Sequence, residues 1–262
     1  MFKSLRPTCS AASRLLLVSS AVLALAVSYT HAADEPVKEK LGQTSFVARD
    51  EFDGRLLLKW QPIREDPSHI SLTRHPGNLT ITTQRGTIHG KNNNQPDRLA
   101  RNLFVIDNPL AAAAEFQMTV CVVQFAPTTD YQQAGLICHN DDDNYLKWVG
   151  LFSSASPSHQ VLRILTETDT ESDASPPVEL LKAPDRLWLR LTRRGNIYEY
   201  STSLDGVRFE RHGERIWNNA PPKRLGLIAK NGGGRNSETI PEIDARFEYF
   251  ELVSPMPDKP AP

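Results

Sequence analysis

A two-residue alternation of apolar and polar side chains is the feature that most constrains this sequence. It is clearest in residues 115–122, 187–192, 197–202 and 244–249. Successive side chains of a β-strand point to opposite faces, so this pattern indicates strands that each bury one face. Turn-forming residues such as Asp205-Gly206 separate the runs. Many short strands joined by turns predict an all-β fold, either a sandwich or a barrel.

Charge and length exclude several classes of protein. The chain has 262 residues with 30 Lys and Arg against 31 Asp and Glu, so it presents no basic field and we expect no nucleic-acid partner. The chain is long enough to bury a hydrophobic core without the help of disulfide bonds. Its three cysteines are too few for a small disulfide scaffold.

The N-terminal segment has a composition of its own. Residues 1–32 contain three basic residues and no acidic ones, an apolar run at 15–27, and small residues at Thr30 and Ala32. This order predicts a signal peptide cleaved after Ala32 or Ala33. The alternative is a membrane anchor, but a run of about 13 residues is shorter than the roughly 20 that span a bilayer. We expect a secreted or periplasmic protein with no membrane span after cleavage.

The rest of the chain divides into three parts. The polar residues 33–44 are typical of a linker, residues 45–253 form the predicted β-domain, and the Pro-rich residues 254–262 are typical of a disordered tail.

Cys121 and Cys138 remain after signal cleavage. The alternation places them on opposite faces, which argues against a disulfide, but the pattern near 120–123 is weak enough to leave a bridge open.

Several short motifs follow one another in a family-like order: 50–54 (DEFDG), 133–136 (QAGL), 141–147 (DDDNYLK), 203–206 (SLDG) and 247–250 (FEYF). The ordered set resembles bacterial concanavalin A-like lectin/glucanase domains, in the domain-of-unknown-function group related to the C-terminal domain of family 43 β-xylosidases. The resemblance implies a jelly roll of two antiparallel sheets. It also suggests association with carbohydrate, although many relatives have no assigned activity.

The concave face of one sheet is the predicted ligand site. If Ala134, Leu136 and Cys138 face the core, the residues between them face outward, beside the outward residues of the next strand. Sites for small ligands combine an apolar wall with a few polar groups, which suits a glycan. The alternative is the ordinary polar face that every sandwich has. The candidate ligand-binding residues are Gln133, His139, Tyr145 and Lys147, with Arg101 and Asn102 at the margin.

A glycoside hydrolase is the alternative function. Glu167, Asp169 and Glu171 have the period-two spacing that would place three carboxylates on one face of a strand. The intervening Thr168 and Thr170 would then face the core, where apolar residues are expected. We therefore favour a solvated acidic loop or strand edge, and assign no catalytic residue. A structural or interaction module of the cell envelope is the third hypothesis.

Metal binding is weakly indicated. No two histidines have the close spacing of metal ligands, so we expect no histidine-based metal site. Calcium could bind at Asp141–Asp143, but consecutive carboxylates cannot all converge, which favours a polar turn. Asp53 and Asp244 form a second candidate cation site by analogy of fold. We expect no cofactor, with calcium as the open alternative. Trp217 is the tryptophan expected at the surface.

Overall fold

The structure, a computed structural model, describes residues 44–88, 99–113, 115–218, 220–232 and 239–255. The predicted signal peptide and most of the predicted linker and tail lie outside these residues. In the part of the chain so described, no helix has the length and apolar character needed to cross a membrane.

Two antiparallel sheets make up the described residues, which confirms the predicted all-β jelly-roll sandwich. A 3₁₀ turn at Pro67–His69 precedes β3 (Ile70–Ser71). Sheet A has the order β14 (Glu210–Ile216), β13 (Ile197–Ser203), β12 (Arg186–Arg194), β6 (Glu115–Val123), β16 (Asp244–Pro255), β4 (Leu79–Thr82) and β3 (Ile70–Ser71), and β1 (Thr44–Asp50) also pairs with β16. Sheet B has the order β10 (Glu171–Ala174), β9 (Gln160–Thr168), β8 (Asn144–Phe152), β7 (Gln133–Asp141), β15 (Arg224–Lys230), β5 (Leu103–Asp107) and β2 (Gln61–Ile63), and β11 (Val178–Leu180) pairs with β9.

The main core lies between the two sheets and follows the alternation. Met118 and Val120 of β6 face it from sheet A, and Leu146 and Trp148 of β8 face it from sheet B. Each such side chain contributes about 1.5–3 kcal/mol when it is fully buried. The indole of Trp148 also donates a 3.2 Å hydrogen bond to the backbone oxygen of Ser201 on the opposite sheet. The polar residues that alternate with these core residues therefore lie on the outer faces of the two sheets.

The DEFDG motif has a structural role. The buried carboxylate of Asp50 accepts hydrogen bonds from the backbone nitrogens of Phe52, Leu57 and Leu58, at 3.1, 2.7 and 3.1 Å. It also accepts a 2.8 Å bond from the indole of Trp60. Because one carboxylate satisfies four donors, it fixes the turn that follows β1. This motif holds the fold and contributes nothing to the predicted ligand face.

The two cysteines are not bridged. Cys138 lies in the core between the sheets, while Cys121 lies on the outer face of sheet A and donates a 3.2 Å hydrogen bond to Glu248. Burial raises the pKa of both thiols. The prediction that the two cysteines lie on opposite faces is correct. They form no disulfide bond, which had been left open as an alternative.

Candidate functional site

The outer face of sheet B, turned away from sheet A, carries the predicted ligand-binding residues. On β7, Ala134, Leu136 and Cys138 pack into the core, so Gln133 and His139 occupy the outer face. On β8, Leu146 and Trp148 face the core, which leaves Tyr145 and Lys147 on the outer face as well.

These residues do not form one cluster. Tyr145 pairs with His139 on one side and with Glu167 on the other, so the three lie in one row across the sheet. Gln133 lies six residues from His139 along β7, a separation of about 20 Å in an extended strand. The prediction that these residues form one ligand site is therefore wrong. Alternation indicates which face each residue occupies but not where it lies along the strand. We call His139, Tyr145, Lys147 and Glu167 the polar end.

Tyr145 and Glu167 form the hydrogen bond that organises the polar end. The phenol of Tyr145 donates to the carboxylate of Glu167 at 2.6 Å, and both side chains are buried. Burial, followed by the hydrogen bond and charge of Glu167, raises the pKa of Tyr145. Glu167 thus has a defined structural partner.

Lys147 is a buried cation near this pair. Its Nζ lies 5.5 Å from the centre of the Tyr145 ring. Within the described residues, its ammonium group has no hydrogen bond and no carboxylate at ion-pair distance. Burial lowers the pKa of Lys147 to about 8, although the charge of Glu167 opposes this effect.

A second network ties His139 to a neighbouring loop. His139 Nε2 lies 3.4 Å from Asp142, and Asp142 accepts two hydrogen bonds from Arg64, at 2.8 and 3.1 Å. Arg64 also donates a 2.6 Å bond to the backbone oxygen of Ala100. Burial acts to raise the pKa of Asp142, but the bonds from His139 and Arg64 together lower it. The other ring nitrogen of His139, Nδ1, is buried and has no partner in the part of the chain that the structure describes.

A covering segment, 83–88 and 99–102 between β4 and β5, closes over the middle of this face. Ile88 and Ala100 are buried in one apolar cluster with Ile137, Val149 and Ile228 of the sheet. Lys230 Nζ donates a 3.2 Å bond to the backbone oxygen of Gly86, a residue of the same segment. The face is therefore covered at its centre, and the expectation of a concave surface open along its length is corrected.

Arg101 and Asn102 belong to the covering segment and have other partners. The amide of Asn102 accepts from the backbone nitrogen of Asp66 at 2.7 Å and donates to the Asp66 backbone oxygen and Gln84 at 3.1 and 3.3 Å. Arg101 is half exposed and lies 3.7 Å from the Asp66 carboxylate. Asn102 thus holds the segment in place, and neither residue supplies the marginal donors expected from the sequence.

The three carboxylates of the hydrolase hypothesis do not share a face. Asp169 and Thr170 form the turn between β9 and β10, with φ angles of 49° and 80°. In the hairpin, Glu167 is opposite Ser172, and Glu171 is opposite Thr168. Glu167 and Glu171 therefore point to opposite faces of sheet B. The spacing assumes a continuous strand, but the turn interrupts it.

The candidate cation sites have protein partners. Asp141 accepts hydrogen bonds from the backbone of Asp143 and the amide of Asn144, as in a polar turn. Asp244 bonds to Arg74 at 3.0 Å and lies 3.2 Å from His75. Among the residues the structure describes, no group of three or more His, Cys, Asp or Glu side chains could hold a metal ion.

Several residues near the face were missed or misplaced from the sequence. Arg64 and Lys230 were not singled out, although Leu225, Leu227 and Ala229 in the core place Lys230 on the outer face by simple alternation. Trp217 is buried, contrary to expectation. Its indole donates a 3.1 Å hydrogen bond to the backbone oxygen of Glu167 and so supports the polar end from the core side of sheet B.

Comparison with known proteins gives a consistent family. The profile described as the β-xylosidase C-terminal concanavalin A-like domain matches residues 49–220. No curated protein matches in sequence.

Solved structures share the fold at low identity. The GH43 BlXynB protein from Bacillus licheniformis is 19% identical with a TM-score of 0.64, over 78% of this chain and 39% of that chain. A xylan β-1,4-xylosidase from Bacillus halodurans is 15% identical with a TM-score of 0.63, over 80% and 40%. The family GH16 endo-β-1,3(4)-glucanase SCLam is 13% identical with a TM-score of 0.51, over 81% and 92%. This chain thus corresponds to about two fifths of either xylosidase.

Proposed function

The chain belongs to the family of concanavalin A-like C-terminal domains of β-xylosidases, and from this premise we propose that it is an exported module that binds carbohydrate without cleaving it. The similar structures are named as enzymes of xylan and β-glucan. Their names support a plant-type β-glycan as the partner.

Unpaired polar groups on the outer face of sheet B are the observation that carries the proposal. Among the residues that the structure describes, His139 Nδ1 is buried and has no hydrogen-bond partner. The Lys147 ammonium also lacks an acceptor there, and the two residues are 3% and 5% exposed. A buried polar group left unpaired costs about 1–3 kcal/mol. Sugar hydroxyls both donate and accept, so a sugar bound at the polar end would meet the requirements of both groups.

The covering segment limits the size of the proposed ligand. Ile88 and Ala100 occupy the middle of the face, so a long polysaccharide could not lie along it. The polar end is the part of the face where polar groups are concentrated. We place one terminal sugar residue there, with modest affinity, since each sugar hydroxyl exchanges hydrogen bonds with water for hydrogen bonds with protein.

The partners of the nearby carboxylates support binding without cleavage. Glycosidases use two carboxyl groups on either side of the scissile bond. At the polar end, Glu167 accepts the hydrogen bond of Tyr145 and Asp142 is paired with Arg64. Neither carboxylate is left available as an acid or a nucleophile.

Calorimetric titration of the full chain with xylo- and β-gluco-oligosaccharides tests the proposal. We expect Lys147→Met to weaken binding about tenfold, in line with the loss of one charged hydrogen bond. The exposed Lys182→Met is the matched control and should bind as the wild type does. Absence of binding to every oligosaccharide would overturn the proposal. Release of reducing sugar that Glu167→Gln abolishes would establish the hydrolase instead.

Export is the second part of the proposal and needs its own test. The basic, apolar and small-residue order of residues 1–32 supports it. N-terminal sequencing of the protein recovered from a secreting bacterial host should give a chain that begins at Ala33 or Asp34. Recovery of the uncut chain inside the cell would contradict it.

A further inference from the structure

Three basic side chains gather on the outer face of sheet B without acidic partners. Lys147 is on β8, Arg163 on the adjacent β9, and Lys230 on β15. Core packing of the alternate residues, Leu162 and Ile164 around Arg163 among them, places all three on this face. Within the described residues, none of the three has a carboxylate at ion-pair distance.

Arg163 is the least expected of the three. It pairs across the strands with Val149, and Lys147 is the next outward residue of β8, so Arg163 and Lys147 are diagonal neighbours. Such neighbours are about 7 Å apart at their backbones, well within reach of long side chains. Arg163 Nε is buried and, among the residues that the structure describes, has no hydrogen-bond partner.

The carboxylates near these three cations have partners of their own. Glu179 lies opposite Val161 on this face, diagonal to Arg163. Its carboxylate accepts hydrogen bonds from Ser158. Of the nearby carboxylates, Asp142 is paired with Arg64, and Glu167 is the one that acts on Lys147. Lys230 donates to two backbone oxygens, those of Gly86 and Asn231, which carry no net charge. Burial and the charge of Lys147 both lower the pKa of Lys230, so the two lysines act on each other electrostatically.

We propose that the sugar bound at this face is anionic, and that its carboxylate or sulfate group lies between Lys147 and Arg163. This inference rests on the proposed carbohydrate-binding function and specifies its ligand class. Uronic acids and sulfated sugars share the required chemistry. Lys230 contributes through its longer-range charge, and Glu167 and Tyr145 contact the neutral hydroxyls.

An anionic ligand would relieve the cost of burying these cations. Removing a charge from water is expensive, and a counter-charge with good hydrogen bonds is what offsets the expense. A guanidinium binds carboxylate or sulfate oxygens through two parallel hydrogen bonds, and such charge-assisted bonds are roughly twice as strong as neutral ones. Arg163 and Lys147 together provide the donors for one such group.

Calorimetry with three ligands tests the inference: a neutral xylo-oligosaccharide, the same oligosaccharide bearing a glucuronic acid, and an O-sulfated form. We expect at least one acidic form to bind about tenfold or more tightly than the neutral form, the difference that one charge-assisted contact provides. The uronate and sulfate arms decide which anion fits. The preference should weaken only slightly as salt rises, since ions screen buried charges much less than exposed ones.

Variants separate this inference from the proposed function. Arg163→Gln should remove most of the preference for the acidic ligand, whereas Lys230→Met should reduce it less. The exposed Arg208→Gln is the control and should retain the full preference. Equal binding of neutral and acidic forms would overturn the inference while the proposed function stands. Binding of none of the three would overturn both.

Discussion

The phenol oxygen of Tyr145 lies 2.6 Å from a carboxylate oxygen of Glu167, and this buried hydrogen bond joins β8 to β9. The bond determines where both side chains point on the outer face of sheet B. Tyr145→Phe deletes the donor and leaves the carboxylate in place. We expect the free energy of unfolding to fall by about 2 kcal/mol, the cost of an unsatisfied buried acceptor.

Urea unfolding of wild type and variant measures this change. Tyr131 is 63% exposed, so Tyr131→Phe is the matched control and should leave stability unchanged. Equal stability of the two variants would show that the Tyr145–Glu167 bond contributes nothing.

Lys147 should make stability depend on alkaline pH. Burial lowers its pKa in the folded protein from 10.5 to about 8. Between these values the unfolded chain binds more protons than the folded one, so stability rises with pH across this window. Lys147→Met removes the contribution. The difference in unfolding free energy between variant and wild type should therefore shrink by about 3 kcal/mol from pH 7 to pH 10.5.

Other groups near Lys147 must be considered when this pH dependence is measured. Lys230 on β15 titrates in the same direction, and Glu167 and Arg163 on β9 and His139 on β7 face the same region. These groups are present in both proteins, so most of their contribution cancels when the two curves are subtracted. The difference that remains includes the effect of Lys147 on the pKa of Lys230. A difference that stays constant with pH would contradict the charged, buried state of this lysine.

Arg64 should stabilise the covering segment. It joins Asp142 to the backbone oxygen of Ala100, and its side chain is one-quarter exposed. Arg64→Met leaves Asp142 without its cation, and we expect a loss of about 2 kcal/mol at pH 7. The pKa of Asp142 is lowered in the fold, so this loss should diminish as pH falls and the carboxyl group protonates.

The control for this prediction is a more exposed ion pair. Arg194 and Glu115 are 3.8 Å apart with side chains 56% and 41% exposed. Arg194→Met should change stability by less than about 1 kcal/mol. Thermal unfolding at pH 7 and pH 3 compares the two variants, and similar small losses would mean that Arg64 does not secure the segment.

The thiols should react only after unfolding. Cys121 and Cys138 are buried and unbridged, and burial raises both pKa values. A thiol reagent at pH 8 should therefore label neither in the native protein and both in urea. Reductant should leave the melting temperature unchanged. Rapid native labelling of Cys121 or Cys138, located by peptide mapping, or a melting temperature lowered by reductant, would contradict the structure.

Strand alternation was enough to predict an all-β fold and the face of each residue in β7 and β8, while the family resemblance supplied the jelly roll. In β7 and β8, core residues such as Leu136 and Trp148 alternate without interruption, so their neighbours had to point outward. The same argument placed Cys121 and Cys138 on opposite faces. These predictions succeeded because they depend on a local geometric rule.

Position along the strand and coverage by loops could not be predicted in this way. Gln133 and His139 share a face yet lie about 20 Å apart, since alternation does not measure distance along a strand. Ile88 and Ala100 cover the face through contacts that are distant in sequence. The turn at Asp169 and Thr170 separated carboxylates that looked equivalent by spacing. Such features depend on tertiary structure and not on local pattern.

Nuclear magnetic resonance of the full chain, labelled with ¹⁵N at lysine, tests the central claim that sugar binds at the outer face of sheet B. The chain is titrated with the oligosaccharide that binds most tightly in calorimetry. We predict that the amide signal of Lys147 shifts in proportion to saturation, while those of the exposed Lys59 and Lys182 do not move. Saturable shifts confined to Lys59 or Lys182, with Lys147 unchanged, would place the sugar elsewhere and contradict the account.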